Sequence, residues 1–362
     1  MTSLGKKVTS IQRLRTSFLP WFRTFLLSLA GGGIFAFVGL PLPWILGPMV
    51  SVLLWSRFAP APLYWPSGWR NAGLVAIGYM LGSSFNRQTL AQMIAQLPTM
   101  LLMTTLMMGF SVGLALLISR HTGLNFRTAL TANIPGGLSQ MVTLGEEMKG
   151  IDLSIVTFYQ VTRLLTVIFI VPFLVLGLTG KAAPAATGGE TDGVSLDPSL
   201  LLFGLIAAAG AWAARKLRFP TPFLMGPVLV IALFGVSGIH PPELPSLIRN
   251  LAQLFMGAYF GRMLKWEDLF RRRGIGLLAP VTGLALVLFS WGLGLLLVSL
   301  HHQSLVTAFL SLSPGGMATM GVVAREVDAE LATVTGYQMF RVFFILFFIP
   351  PLLRRLFKPL AH

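Results

Sequence analysis

Between residues 24 and 353 the chain is cut into twelve apolar runs, each ended by glycine, proline or charge: 24–40, 44–55, 71–85, 97–119, 128–144, 153–178, 200–214, 221–236, 250–264, 276–300, 305–324 and 331–353. Twelve such runs could not all be hidden from water in one core, whereas lipid would solvate their outer faces. Composition agrees: 54% of residues are hydrophobic and 11% charged, against about 25% charged in a soluble domain. The expected fold is an all-α polytopic membrane protein, which excludes a soluble enzyme. Cysteine is absent, and the five histidines, His121, His240, His301, His302 and His362, have no carboxylates at ligand spacing. No catalytic residue, metal site or cofactor is therefore expected. The net charge of +15 lies almost entirely between the runs, as the positive-inside rule anticipates, and implies no direct contact with nucleic acid.

The two halves repeat at an offset of 179 residues, which becomes 178 after one gap. Pro41, Pro43, Gly47 and Pro48 match Pro220, Pro222, Gly226 and Pro227; Asn71, Gly78 and Gly82 match Asn250, Gly257 and Gly261. Pro135-Gly136-Gly137 matches Pro314-Gly315-Gly316, Glu147 matches Glu326, and Tyr159-Gln160 with Arg163 matches Tyr337-Gln338 with Arg341. Apolar drift does not align helix breakers, an asparagine and an arginine in register.

Charge then chooses a topology. If all twelve runs cross, 14 Lys and Arg lie inside and 11 outside, whereas returning the two Pro-Gly-Gly runs to their side of origin gives 21 inside and 4 outside. The second arrangement obeys the positive-inside rule. It predicts ten crossings plus two re-entrant or broken segments, with the halves as inverted-topology repeats; broken, crossing Pro-Gly-Gly helices with another non-spanning segment are the alternative. The expected organisation is a basic cytoplasmic terminus over 1–23, repeats at 24–178 and 199–353, a flexible Gly/Ala/Pro-rich linker at 179–198 outside, and a basic cytoplasmic tail at 354–362. The first run reads as a retained helix.

Pro-Gly-Gly should interrupt a helix and free its backbone groups, which at membrane depth is tolerated only beside protein or a water-filled cavity. Paired breaks in opposed halves form the binding sites of many secondary transporters, though each could merely permit a tight turn. Arg163 and Arg341 lie about ten residues inside long apolar runs, and Gln160 and Gln338 share their helical faces. Either these side chains line a solute site, with guanidiniums suited to carboxylate or phosphate, or each Arg pairs internally with Glu147 or Glu326. The candidate substrate-binding residues are Pro135, Gly136, Gly137, Gln160, Arg163, Pro314, Gly315, Gly316, Gln338 and Arg341. Asn71 and Asn250 are read as helix N-caps, and the Pro-x-Pro motifs as helix junctions.

Two halves each carrying Pro-x-Pro-x-x-x-Gly-Pro, Pro-Gly-Gly and Tyr-Gln-x-x-Arg resemble the AbrB family of bacterial inner-membrane proteins, whose members carry labels of ammonia monooxygenase and of regulator of gene expression. The order of elements is more distantly similar to bile-acid:sodium symporters. The resemblance implies a bacterial inner-membrane location. Residues and resemblance together imply a secondary transporter, not an enzyme, that moves a small polar solute, anionic if the guanidiniums bind it, by alternating access. Its partners would be lipid, solute and a coupling ion. The alternative is a membrane protein that affects gene expression indirectly.

Overall fold

The computed structural model describes residues 3–59, 61–136, 141, 144–145, 148, 150–179, 198–219, 221–263 and 273–356. Gly137, Glu147 and all but the end residues of the expected linker lie outside the described residues. Among the described residues there are fourteen helices. The first half holds α1 (Ser3–Val38), α2 (Pro43–Phe58), α3 (Ser67–Gly82), α4 (Arg87–Ala95), α5 (Leu97–Thr122), α6 (Phe126–Asn133) and α7 (Leu153–Thr179). The second holds α8 (Pro198–Lys216), α9 (Pro222–Val236), α10 (Ser246–Met263), α11 (Arg273–His301), α12 (Leu305–Leu312), α13 (Met317–Glu326) and α14 (Leu331–Leu356).

Six of these, α1, α5, α7, α8, α11 and α14, contain stretches of 19 to 26 residues long and apolar enough to cross a membrane. At 1.5 Å per residue they match a hydrocarbon layer of about 30 Å. Their outer faces leave large apolar side chains uncovered, including Leu205, Trp212, Leu277 and Phe347, as lipid-facing surface requires. This is the architecture of a polytopic membrane protein.

The Pro-x-Pro motifs act at helix junctions: Pro43 and Pro222 open α2 and α9. The residue before each is left-handed, Leu42 at φ 47° and Thr221 at φ 45°. Such a backbone costs a non-glycine residue about 1–2 kcal/mol. Thr221 is exposed, so Thr221→Gly is expected to stabilise the protein by about 0.5–1 kcal/mol after glycine's extra chain entropy is deducted, read as a rise in the thermal unfolding midpoint. Leu42 is buried, and the same exchange there would also remove packing.

The expectation that Asn71 and Asn250 cap their helices is wrong. α3 begins at Ser67 and α10 at Ser246, so both asparagines lie inside. Pro66 and Pro245 set these starts: their carbonyls accept from the Trp69 and Ile248 amides.

The chain divides into two compact units, and the division falls within α3 between Ala76 and Ile77. One unit contains α1, α2, the first turns of α3, and α10. Its apolar cluster joins Trp65, Leu254 and Ala258 to Trp21, Phe25 and Trp44. α1 and α2 cross backbone to backbone: a Cβ on Gly31 would lie 2.5 Å from Gly47 O. On its other side α2 lies against α10, where a Cβ on Gly257 would strike Ile45 O and one on Gly261 would lie 2.6 Å from Met49 O. Gly73 of α3 closes on Ala252 O of α10.

The other unit contains the remainder of α3, α4 to α9, and α11 to α14. α8 and α9 cross at Gly210 and Gly226, the repeat equivalents of Gly31 and Gly47. α9 lies against α3, with a Cβ on Gly78 2.6 Å from Leu224 O and one on Gly82 2.8 Å from Val228 O. These four residues match Gly257, Ile45, Gly261 and Met49 by the repeat offset. The core is rich in methionine, with Met100, Met103, Met107 and Met141 all buried, and it draws on α5, α6, α7, α11 and α14. At the contact of α5 and α11, Phe110 stacks on its own repeat equivalent, Phe289, with ring centroids 4.0 Å apart.

Candidate functional site

Both Pro-Gly-Gly segments break helices. α6 ends at Asn133 and α12 at Leu312, eight residues each, and α13 has ten. Pieces of about 12–15 Å reach no more than halfway through a bilayer. Ser304 caps α12 by accepting from the Thr307 amide, and Asn125 accepts from the Arg127 amide at the start of α6. The C-terminal ends have no following turn to bond to, because proline and glycine interrupt the helix, so several carbonyls are left without intrahelical partners.

Those carbonyls are met from α7 and α14. Gln160 Nε2 donates to Thr131 O at 3.1 Å, Ala132 O at 3.2 Å and Ile134 O at 2.9 Å. Arg163 Nη1 donates to Ile134 O at 2.9 Å, and Nη2 donates to Gly136 O at 3.2 Å and Gln160 Oε1 at 2.8 Å. The second break repeats every one of these bonds and adds one, from Arg341 to Leu312 O. Gln338 Nε2 donates to Leu310 O at 2.9 Å, Ser311 O at 3.3 Å and Ser313 O at 3.0 Å. Arg341 Nη1 donates to Leu312 O and Ser313 O, and Nη2 donates to Gly315 O and to Gln338 Oε1.

Spacing explains the geometry. Gln and Arg three residues apart share one helical face, so one turn carries both an amide and a fork of N–H donors to the same broken end. A cation there also complements the negative end of the half-helix dipole. Placing an Arg at the centre of a membrane helix costs about 2.5–3.5 kcal/mol. Hydrogen bonds to charged groups, worth about 1.5–3 kcal/mol each, offset that cost. Among the described residues these guanidiniums bond carbonyl and amide oxygens and no carboxylate. The two sites adjoin, since α12 of the second break packs against α7, the helix that carries Gln160 and Arg163.

Of the sequence candidates, Pro135, Gln160, Arg163, Pro314, Gly315, Gln338 and Arg341 are buried at the breaks, and Gly136 and Gly316 are half-buried there. Met141 folds over Gly136, and Met320 over Gly315. Gly137 and Glu147 lie outside the described residues. The structure adds Ser313 and Thr162, and brings in Tyr337, which the Tyr-Gln-x-x-Arg motif places one turn before Arg341. Ser313 Oγ, Tyr337 OH, Thr162 Oγ1, Arg163 Nε and Arg341 Nε are buried without a hydrogen-bond partner among the described residues. Ser313 was findable by comparing the halves, because the first break has Ile134 at its place. α13 starts from Gly316 with no side-chain cap, leaving its positive dipole end at the second break.

The family described as "Transition state regulatory protein AbrB" matches residues 44–357. "Uncharacterized protein YhjN" of Bacillus subtilis (strain 168) is 28% identical, with 93% of this chain and 92% of the relative aligned. "Putative regulator AbrB" of Escherichia coli (strain K12) is 27% identical over 93% of this chain and 96% of the relative. The match covers both helix breaks and both Gln–Arg pairs, and the chain belongs to the AbrB family.

Proposed function

We propose that the chain is a secondary transporter of the bacterial inner membrane, moving a small anionic solute by alternating access through the two breaks, with both termini cytoplasmic. The observation that carries the reading is the surplus of buried donors among the described residues: two guanidiniums that bond no carboxylate there, each with a spare Nε–H, beside the hydroxyls of Ser313 and Tyr337, which have no partner there either. Buried polar groups are nearly always bonded, so unpartnered donors of one charge sign at one place suit a ligand that accepts hydrogen bonds and carries negative charge. The Gln160 and Gln338 amides are engaged by the protein and hold the arginines in position.

Inverted repeats are supported by parity and by reciprocity. Each half has three long apolar helices, and in this reading the hairpin of its two shorter helices, α2 with α3 or α9 with α10, adds two crossings or none. The number of crossings per half stays odd in either case, which turns the second half over. The contact of α2 with α10 has its counterpart in that of α9 with α3, the mark of a two-fold relation between the halves. The Escherichia coli relative's name is compatible with transport, since a carrier that sets the level of a signalling solute alters transcription without touching DNA.

Uptake by proteoliposomes tests this, using radiolabelled mono- and dicarboxylates, phosphate, sulfate and neutral polar solutes. The wild type is expected to accumulate at least one anion and the Arg163→Ala plus Arg341→Ala protein none. Ser313→Ala plus Tyr337→Phe provides the arm independent of folding. It removes hydroxyls that have no partner among the described residues, so the unfolding midpoint should hold while uptake falls at least about tenfold, the worth of roughly 1.4 kcal/mol. No uptake across the panel, or unchanged uptake by both variants, overturns the proposal.

A further inference from the structure

The breaks carry a further reading, which rests on the transporter proposal for its consequence and not for its geometry. In secondary transporters the carbonyls freed by an unwound helix commonly coordinate the coupling cation. Among the described residues, the break oxygens that the Gln and Arg side chains meet are Thr131, Ala132, Ile134 and Gly136 O with Gln160 Oε1 at one break, and Leu310, Ser311, Leu312, Ser313 and Gly315 O with Gln338 Oε1 at the other. All of them already accept from the Gln amide or the Arg guanidinium. Two of the cradles' oxygens, Ile134 O and Ser313 O, accept from both.

We infer that Arg163 and Arg341 are tethered cations, each guanidinium filling the carbonyl cradle in which a transporter of this design would bind an alkali ion, so that the breaks bind no inorganic coupling cation. An alkali ion is held by hard oxygen ligands, commonly with a carboxylate to neutralise it. Among the described residues no group of three or more acidic or histidine side chains is placed to hold a metal. An entering ion would displace a fork of charge-assisted bonds and then face the guanidinium itself. The partial negative charge of the broken carbonyls is thereby neutralised permanently, and the solute's charge is balanced by the protein instead of by a co-transported ion.

Thermal unfolding of the purified full-length protein in detergent reads the cradles without any solute. The wild type is expected to unfold at the same temperature in sodium, lithium, potassium and choline chloride at matched ionic strength. Arg341→Ala should unfold several degrees lower and regain part of the loss with millimolar ethylguanidinium chloride, while an equal concentration of choline chloride restores nothing. Arg325→Ala, at an exposed pair with Glu243, should show neither the loss nor the rescue. Sodium or lithium raising the wild-type midpoint, or saturable binding of radioactive sodium to the wild type, overturns the inference. So does failure of ethylguanidinium to restore a folded Arg341→Ala. The wild-type arms need no variant to fold, and they separate the two readings: sodium binding would end this one and leave the transporter standing, whereas an empty uptake panel would do the reverse.

Discussion

Replacing Gln338 by leucine is expected to lower the thermal unfolding midpoint of the detergent-purified protein by several degrees, although the two side chains differ little in size. The glutamine is fully buried, its Nε2 donates to three carbonyls, and its Oε1 accepts from Arg341. Side-chain hydrogen bonds in membrane helices are worth about 0.6–1.7 kcal/mol each, so losing four puts the cost at roughly 2–7 kcal/mol. The loss is not confined to the missing bonds. Without Oε1 to accept one of its hydrogens, Arg341 Nη2 retains only the Gly315 carbonyl, and the end of α12 is left to Arg341 Nη1 alone. Gln160→Leu should do the same at the first break, where the donors meet equivalent carbonyls. Intrinsic tryptophan fluorescence during a thermal ramp measures both, and midpoints unchanged from wild type would mean that the amides are not holding the breaks.

A single methyl group at Gly226 is also expected to destabilise the protein. The Cβ of an alanine there would strike Gly210 O and lie 2.6 Å from its carbonyl carbon and 2.8 Å from Ala211 Cα. All three are helix backbone, which cannot turn aside as a side chain can, so α8 and α9 must separate along their contact. Overpacking of this kind costs about 1–3 kcal/mol, and the upper end applies where only backbone can yield. Gly204→Ala on the same α8 is the control: nothing lies within 4 Å of its Cβ, and better helix propensity should raise stability by about 0.5–1 kcal/mol. Opposite shifts in the unfolding midpoint from two Gly→Ala changes are the expected result, and equal shifts would contradict the crossing.

The helices and the breaks were legible in the sequence because both are written locally. Apolar length marks a span, and Pro-Gly-Gly interrupts a helix whatever surrounds it. α4 escaped because nine mixed residues make no apolar run; its signal was Asn86 with Thr89, which cap one another's amides. Asn71 and Asn250 were misplaced because hydropathy rises only after them, while Pro66 and Pro245 start their helices a turn earlier. The partners of Arg163 and Arg341 were illegible for a different reason. Sequence offers a buried arginine acidic side chains, here Glu147 and Glu326, or a ligand, but every residue carries a carbonyl and none announces that it will be left unbonded. That α2 would pack on α10 and α9 on α3 was hidden too, since glycine spacing marks a face able to approach closely and not the helix that will approach it.

These exchanged crossings bear on how such a chain could have arisen and how it can be divided. Severing it between α7 and α8 would not release two self-sufficient proteins, because each fragment would present a glycine groove whose filling ridge belongs to the other polypeptide. An ancestral half-length protein of this design would therefore have been obliged to pair before it was complete. Fusion of two such copies would supply each fold with its partner at a fixed ratio and free the two to diverge, as Ser313 in one break opposite Ile134 in the other illustrates.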